Sequence, residues 1–431
     1  MLSAKTNPFI QSFTDKKLTK DIILFSFLIL AIPIALISGP AIPDILLSTI
    51  AFYFLIKSIK FKLWYYYNNP IVYGFLIFSL YGIIRTIFSE YPIQSLSNEG
   101  SIFYFRYIFF SMGVWYLIDE NPYLTKCILI IILLCCFIVM IDGFYQYFYG
   151  INLFGNKPHN AHRLTGLFQD EPIIGRYISY FSIFAFALIY QVKSISKKNT
   201  IMSIGLLVIC EIFVFFSGER APFFYLALFS VLILIFIPSF RAYRFIGVIF
   251  SILIIAFIIN INPKAKERMV NTTIQEISNT SLPFLPYSEL HERHFVVSLK
   301  MFQDKPFFGI GTNSFKFFCD KEKYFYKENS CTTHPHNYYI QLIAELGVVG
   351  FLTLFLFFSF LSFILLRQFY YILKKQKSQL MPFNLLLFVI VLFVFWWPII
   401  PHMSFYNNWN NVMVFFPLGF FLRDYYKNNI V

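Results

Sequence analysis

Apolar residues come in runs of about twenty, separated by short polar breaks, along nearly the whole chain. A helix of that length spans the ~30 Å hydrocarbon core of a bilayer. The runs fall at 21–38, 41–57, 69–88, 101–118, 124–147, 171–191, 200–217, 220–238, 243–261, 336–366, 381–400 and 408–422. Lipid offers backbone groups no water to bond, so a crossing segment must close its own hydrogen-bond ladder as a helix. The pattern predicts an all-α integral membrane protein of about twelve transmembrane helices. One polar break, residues 262–335, is far longer than the others. Within it, Leu290 to Phe302 sets Val296, Val297, Leu299 and Met301 among polar residues, which predicts a short helix that Lys305-Pro306 ends. Gly309 and Gly311 then permit a tight turn. No composition break divides the chain, so 1–431 reads as a single polytopic membrane domain with 262–335 inserted in it.

Composition agrees. The chain is 58% hydrophobic and 13% charged, where soluble domains are about 25% charged. The first run follows Lys16, Lys17 and Lys20, as a secretory signal would, but a second run begins a few residues later, so a retained helix is expected. With twelve spans, the short loops on the side of both termini carry most of the 35 lysines and arginines. The positive-inside rule then puts both termini in the cytoplasm and 262–335 outside, since a loop that long escapes the rule. The net charge of +13 is thus largely an orientation signal and calls for no nucleic acid. Trp64-Tyr65-Tyr66-Tyr67 and Trp396-Trp397 read as interfacial anchors. Cys127, Cys135, Cys136 and Cys210 lie in apolar runs and read as small buried hydrophobes. Cys319 and Cys331 share the exterior insertion, where a disulfide is possible in an oxidising compartment.

Several cations stand where the membrane and the positive-inside rule both oppose them. Arg85, Arg106, Arg163, Arg176 and Arg220 lie at outer helix ends or in short outer loops, and Arg293 lies in the insertion. A charge toward the bilayer centre costs at least ~2.5–3.5 kcal/mol, so these arginines need anionic partners. A guanidinium suits phosphate because its planar fork donates two parallel bonds. Local carboxylates are the alternative: Glu219 beside Arg220, or Glu292 beside Arg293. Asp142 and Glu345, within apolar runs, could each orient an arginine. His334 and His336 flank Pro335 just before an apolar helix. They do not share a helical face, which argues against a paired metal site, but either imidazole can take a proton near pH 7. Asn337 is placed to cap that helix, and a helix start also offers free N–H groups to an anion. The exterior segments hold no Asp-x-Asp pair and no His/Cys set at ligand spacing.

Glu292-Arg293, Asp304-Lys305-Pro306-Phe307-Phe308-Gly309-Ile310-Gly311, His334-Pro335-His336-Asn337-Tyr338-Tyr339-Ile340-Gln341 and Glu345-Leu346-Gly347-Val348-Val349-Gly350 together resemble the signature region of the O-antigen ligase and O-antigen polymerase superfamily. Arg163-Leu164-Thr165-Gly166-Leu167-Phe168 and Ser217-Gly218-Glu219-Arg220 agree with it; Glu219 directly before the arginine departs from the commoner pattern. The resemblance covers about 160–350, and the rest matches in hydropathy alone. It implies a multi-pass glycosyltransferase of the bacterial inner membrane, working at the periplasmic face without metal or cofactor. The implied donor is a glycan on undecaprenyl diphosphate, and the implied acceptor is lipid A–core in a ligase or another glycan in a polymerase. No residue separates the two. Family roles fall on Arg220 and Arg293 as diphosphate contacts and on His336 as the catalytic histidine. Arg163, Arg176, Arg106, Arg85, His334 and Asn337 are candidate substrate-binding residues. A lipid-linked glycan transporter is the competing class. It would place ionisable groups near the midplane, on broken helices, often with inverted repeats.

Overall fold

The structure, a computed structural model, describes residues 18–158, 163–280 and 287–429, with the side chains of 98–100 and 429 left aside. Lys16 and Lys17, which bear on orientation, lie outside the described residues, as do residues 281–286 of the insertion. Every apolar run coils into helix, and the described residues contain no β-strand element. In chain order the helices are α1 (Lys20–Ala35), α2 (Ala41–Lys60), α3 (Pro70–Ile87), α4 (Pro92–Ser97), α5 (Arg106–Glu120), α6 (Leu124–Tyr149), α7 (Ile174–Val192), α8 (Lys197–Ser217), α9 (Arg220–Phe236) and α10 (Arg241–Ile261). The insertion adds α11 (Pro263–Lys266), α12 (Thr272–Ser278), α13 (Glu289–Asp304) and α14 (Phe315–Phe318). The chain closes with α15 (Tyr338–Leu373), α16 (Phe383–Phe395) and α17 (Asn408–Asn429). Seven described helices are long and apolar enough to cross a membrane, and α9 and α16 are shorter apolar helices.

Helices that look alike in hydropathy take different places. α7 is buried from Ile174 to Tyr190 and α16 from Leu385 to Phe395. α7 packs on α6, α8, α9, α16 and α17, which makes it the hub of the bundle. α10 buries little, and Phe245, Ile246, Ile252, Leu253 and Phe257 face outward as a lipid-facing surface would. Ends are capped locally. Asn69 accepts from Ile71 N ahead of Pro70, and Asn337 accepts from Tyr339 N and Ile340 N at the start of α15.

α15 is broken at Gly347 (φ 64°, ψ −160°), and the glycine turn of the insertion fills the break. Ile310 N and Gly311 N donate to the Ala344 and Glu345 carbonyls, while Val348 N turns outward to the Pro306 carbonyl. The turn thus supplies bonds that the helix gives up. Two backbones touch here. A Cβ on Gly309 would sit 2.3 Å from the Glu345 carbonyl carbon, and one on Gly347 would sit 2.4 Å from that of Phe307. The Glu345 carboxylate, which could have oriented an arginine, accepts from Asn313 N and Phe315 N and so folds the same turn. Asp142 likewise accepts from the Leu153 amide.

Candidate functional site

One end of the bundle opens into a cavity of about 960 Å³ between α7, α9, the insertion and the segments that precede α15 and α17. Its arginines are placed by tight local geometry. Gly218, at φ 74°, ends α8 in the left-handed conformation, and Glu219 leads directly into α9, so Arg220 starts a helix at the cavity wall. Arg176 lies in the first turn of α7 and is buried. Arg163 donates to the Pro172 carbonyl at 3.0 Å, and Leu164 N bonds the Ser217 carbonyl, which ties this loop to the end of α8. Arg268, on a π-helical turn before α12, donates to the Gly218 carbonyl at 3.2 Å.

The four guanidinium groups are only partly neutralised. Arg220 grips Glu276 of α12 with both terminal nitrogens, at 2.9 and 2.8 Å. Glu219, the sequence neighbour that was the alternative partner for Arg220, accepts from Gly175 N and faces Arg163 and Arg176. Burial drives the Glu219 carboxyl up to about 7 against the pull of those arginines. The bond from Arg220 holds Glu276 below its ordinary value. Burial, helped by Arg220 and Arg163, brings Arg268 down to about 10. Arg163 Nε, Arg176 Nη1 and Arg220 Nε are buried with no hydrogen-bond acceptor among the described residues. Buried donors without acceptors are costly, and an anion in the cavity would satisfy them.

Imidazoles gather close to these arginines. His336 is central, with ring centroids 4.2 Å from His334 and 5.5 Å from both His291 and His294. It sits at φ 56°, a region that non-glycine residues rarely use, and the His402 amide fastens its carbonyl at 2.7 Å. Burial pushes His336 down, Arg176 adds to the effect, and the His402 carbonyl opposes it. Burial also lowers His291 to about 3 and His294 to about 4, and takes His334 and His402 well below the ordinary value. All five rings are therefore neutral at pH 7.

Arg163, Arg176, Arg220, His334 and His336 thus line one cavity. The other predicted residues stand elsewhere. Arg293 lies outside the cavity lining, donating to the Glu328 carbonyl at 2.8 Å and to Glu289 at 2.7 Å. Arg85 clamps the Phe308 and Gly309 carbonyls at 3.0 and 2.6 Å, holding the glycine turn in the α15 break. Arg106 is paired with Asp44 at 2.6 Å and Asn408 at 2.9 Å inside the bundle. Asn337, besides capping α15, donates to Tyr287 Oη and the Pro398 carbonyl. Arg268, Glu276, His291 and His402 line the cavity and were not expected. The only signal for His402 was a lone imidazole after a proline at the end of an apolar run; Arg268 was one cation among many in the insertion.

Residues 204–355 match the family model described as O-Antigen ligase. The match supports the resemblance to that superfamily, and with it a ligase- or polymerase-type function in a multi-pass membrane protein. No curated protein matches the chain.

Proposed function

We propose that the protein transfers a glycan from undecaprenyl diphosphate to a lipid A–core acceptor at the periplasmic face of the bacterial inner membrane, as one polytopic domain of about twelve spans whose insertion closes the site. The observation that carries this reading is that guanidinium nitrogens lacking acceptors line the same cavity as His336, whose neutral form burial favours. The carboxylate of Glu276 stands on the Arg220 fork where a phosphate group of the donor would bind.

In the reaction, the acceptor oxygen attacks the anomeric carbon. The bond from that carbon to the diphosphate oxygen breaks, and the acceptor proton passes to His336. Arg220, Arg163, Arg176 and Arg268 hold the departing diphosphate. Such preorganised charge stabilisation is often the largest catalytic contribution. A neutral imidazole is the form a general base requires, and an N–H turned to the His402 carbonyl leaves the other ring nitrogen free to accept. With no covalent nucleophile in the scheme, a single displacement inverts the sugar. Arg293 acts at one remove, through the Glu328 carbonyl and the segment that leads to His336.

The test is transfer by purified protein in detergent, with lipid-linked donor and either lipid A–core or a second glycan as acceptor. His336→Ala should lose about 10²–10⁴-fold in kcat while remaining folded and retaining donor binding. Full turnover by that variant would remove the general base. Faster extension of the glycan than of lipid A–core would assign polymerisation.

A further inference from the structure

Consecutive residues of one segment line two different hollows. His334 and His336 face the cationic cavity, whereas Asn329 to Thr333 line a second hollow of about 500 Å³. Its frame is built. The Cys319–Cys331 disulfide closes the segment onto α14, over a small core of Val297, Met301, Phe315, Phe318 and Tyr324. Arg293 fastens the Glu328 carbonyl, and the Asn329 carbonyl faces the His294 ring. Three features of the lining bear on a ligand. Phe325 leaves 48% of its surface exposed. Lys316 and Lys327 border the hollow together with Asp320; their ammonium groups lie over the rings of Phe317 at 5.6 Å and Tyr326 at 5.2 Å, and neither forms an ion pair among the described residues. Ser330 is only 1% exposed, and its hydroxyl has no partner among the described residues. A buried hydroxyl without a partner needs a reason.

We propose that this hollow is a saccharide subsite for an acidic sugar of the acceptor glycan. An exposed aromatic ring suits the apolar face of a pyranose. Asn329 and Ser330 offer groups for its hydroxyls, and the two ammonium groups fit a carboxylate or phosphate substituent. The few residues from Ser330 to His336 span at most about 20 Å, so a short oligosaccharide seated here reaches the base. The acceptor is favoured over the donor glycan because the donor diphosphate belongs to the arginine wall. This assignment rests on the transferase reading for its role but not for its binding.

The test therefore has two arms. Saturation-transfer NMR on the purified protein uses glucuronate, glucose 6-phosphate and glucose as probes. Both anionic sugars should bind, glucose at least about tenfold more weakly, and Lys316→Gln/Lys327→Gln should abolish the preference. A preference that survives in that variant, or is lost in Arg220→Gln instead, puts the sugar in the cationic cavity and overturns the proposal. Equal binding of glucose overturns its acidic part, and a preference for only one anionic sugar identifies the substituent. In the kinetic arm, Phe325→Ala should raise the acceptor KM at least about fivefold and leave the donor KM unchanged. An unchanged acceptor KM, or equal rises in both, refutes the subsite. Sugar binding without any transfer would sink the transferase reading alone.

Discussion

If Glu276 occupies the place of a donor phosphate, removing its charge should improve donor binding. The Arg220–Glu276 pair has two charge-assisted bonds, at 2.9 and 2.8 Å, between side chains that are 25% and 37% exposed. Coulomb energy for unit charges at ~4 Å is about 4 kcal/mol at an effective dielectric near 20. Solvation and side-chain ordering offset most of that, and measured pairs of this exposure contribute about 1 kcal/mol or less. The donor must break the pair before Arg220 can hold its phosphate. Glu276→Gln, which keeps the shape and one weaker bond, should therefore lower the donor KM about fivefold, since 1.4 kcal/mol is tenfold. The turnover number should hold, because Glu276 takes no part in the bond changes. Initial rates across lipid-linked donor concentrations, at saturating acceptor, measure both constants. High salt should narrow the difference by screening the half-exposed pair. A donor KM that stays the same or rises would refute the displacement argument. A fall in turnover beyond about tenfold would mean that Glu276 supports the chemistry.

Three further outcomes are expected. Glu219 titrates near pH 7 because its pKa is raised: above that value its carboxylate offsets Arg163 and Arg176, and below it the protonated form does not. Donor affinity should accordingly rise about threefold or more as pH falls through 7, and Glu219→Gln should bind at the tighter level throughout; an unchanged pH profile in that variant would exclude Glu219 as the cause. Gly347→Ala places a Cβ 2.4 Å from the Phe307 carbonyl carbon at positive φ, which should cost at least about 3 kcal/mol and depress Tm, whereas Gly205→Ala, with nothing within 4 Å, should not; equal Tm values would dissolve the backbone-crossing argument. Chelator treatment should leave transfer intact if, as proposed, arginines rather than a metal meet the phosphate charge, and inhibition reversed by added magnesium would contradict that.

Helices, the polar insertion with its α13 and Pro306 stop, and the cap at Asn337 were all legible along the chain, because each depends on periodicity or on residues a few positions apart. The resemblance to the superfamily was legible for the same reason, since the motifs that carry it are short and contiguous. Depth was not. Near-uniform apolarity in α7, α10 and α16 cannot say which helix is the hub and which meets lipid, because lipid and protein interior select the same side chains. Nor could the partners of the arginines be read. Arg85, Arg106 and Arg293 carry the same charge as Arg163, Arg176 and Arg220, yet the first three bind carbonyls or carboxylates away from the cavity and the other three line it. A guanidinium reaches whatever acceptor the fold brings near. Only the packing of α12 against α9, and of the insertion's glycine turn into the broken α15, decides which acceptor that is.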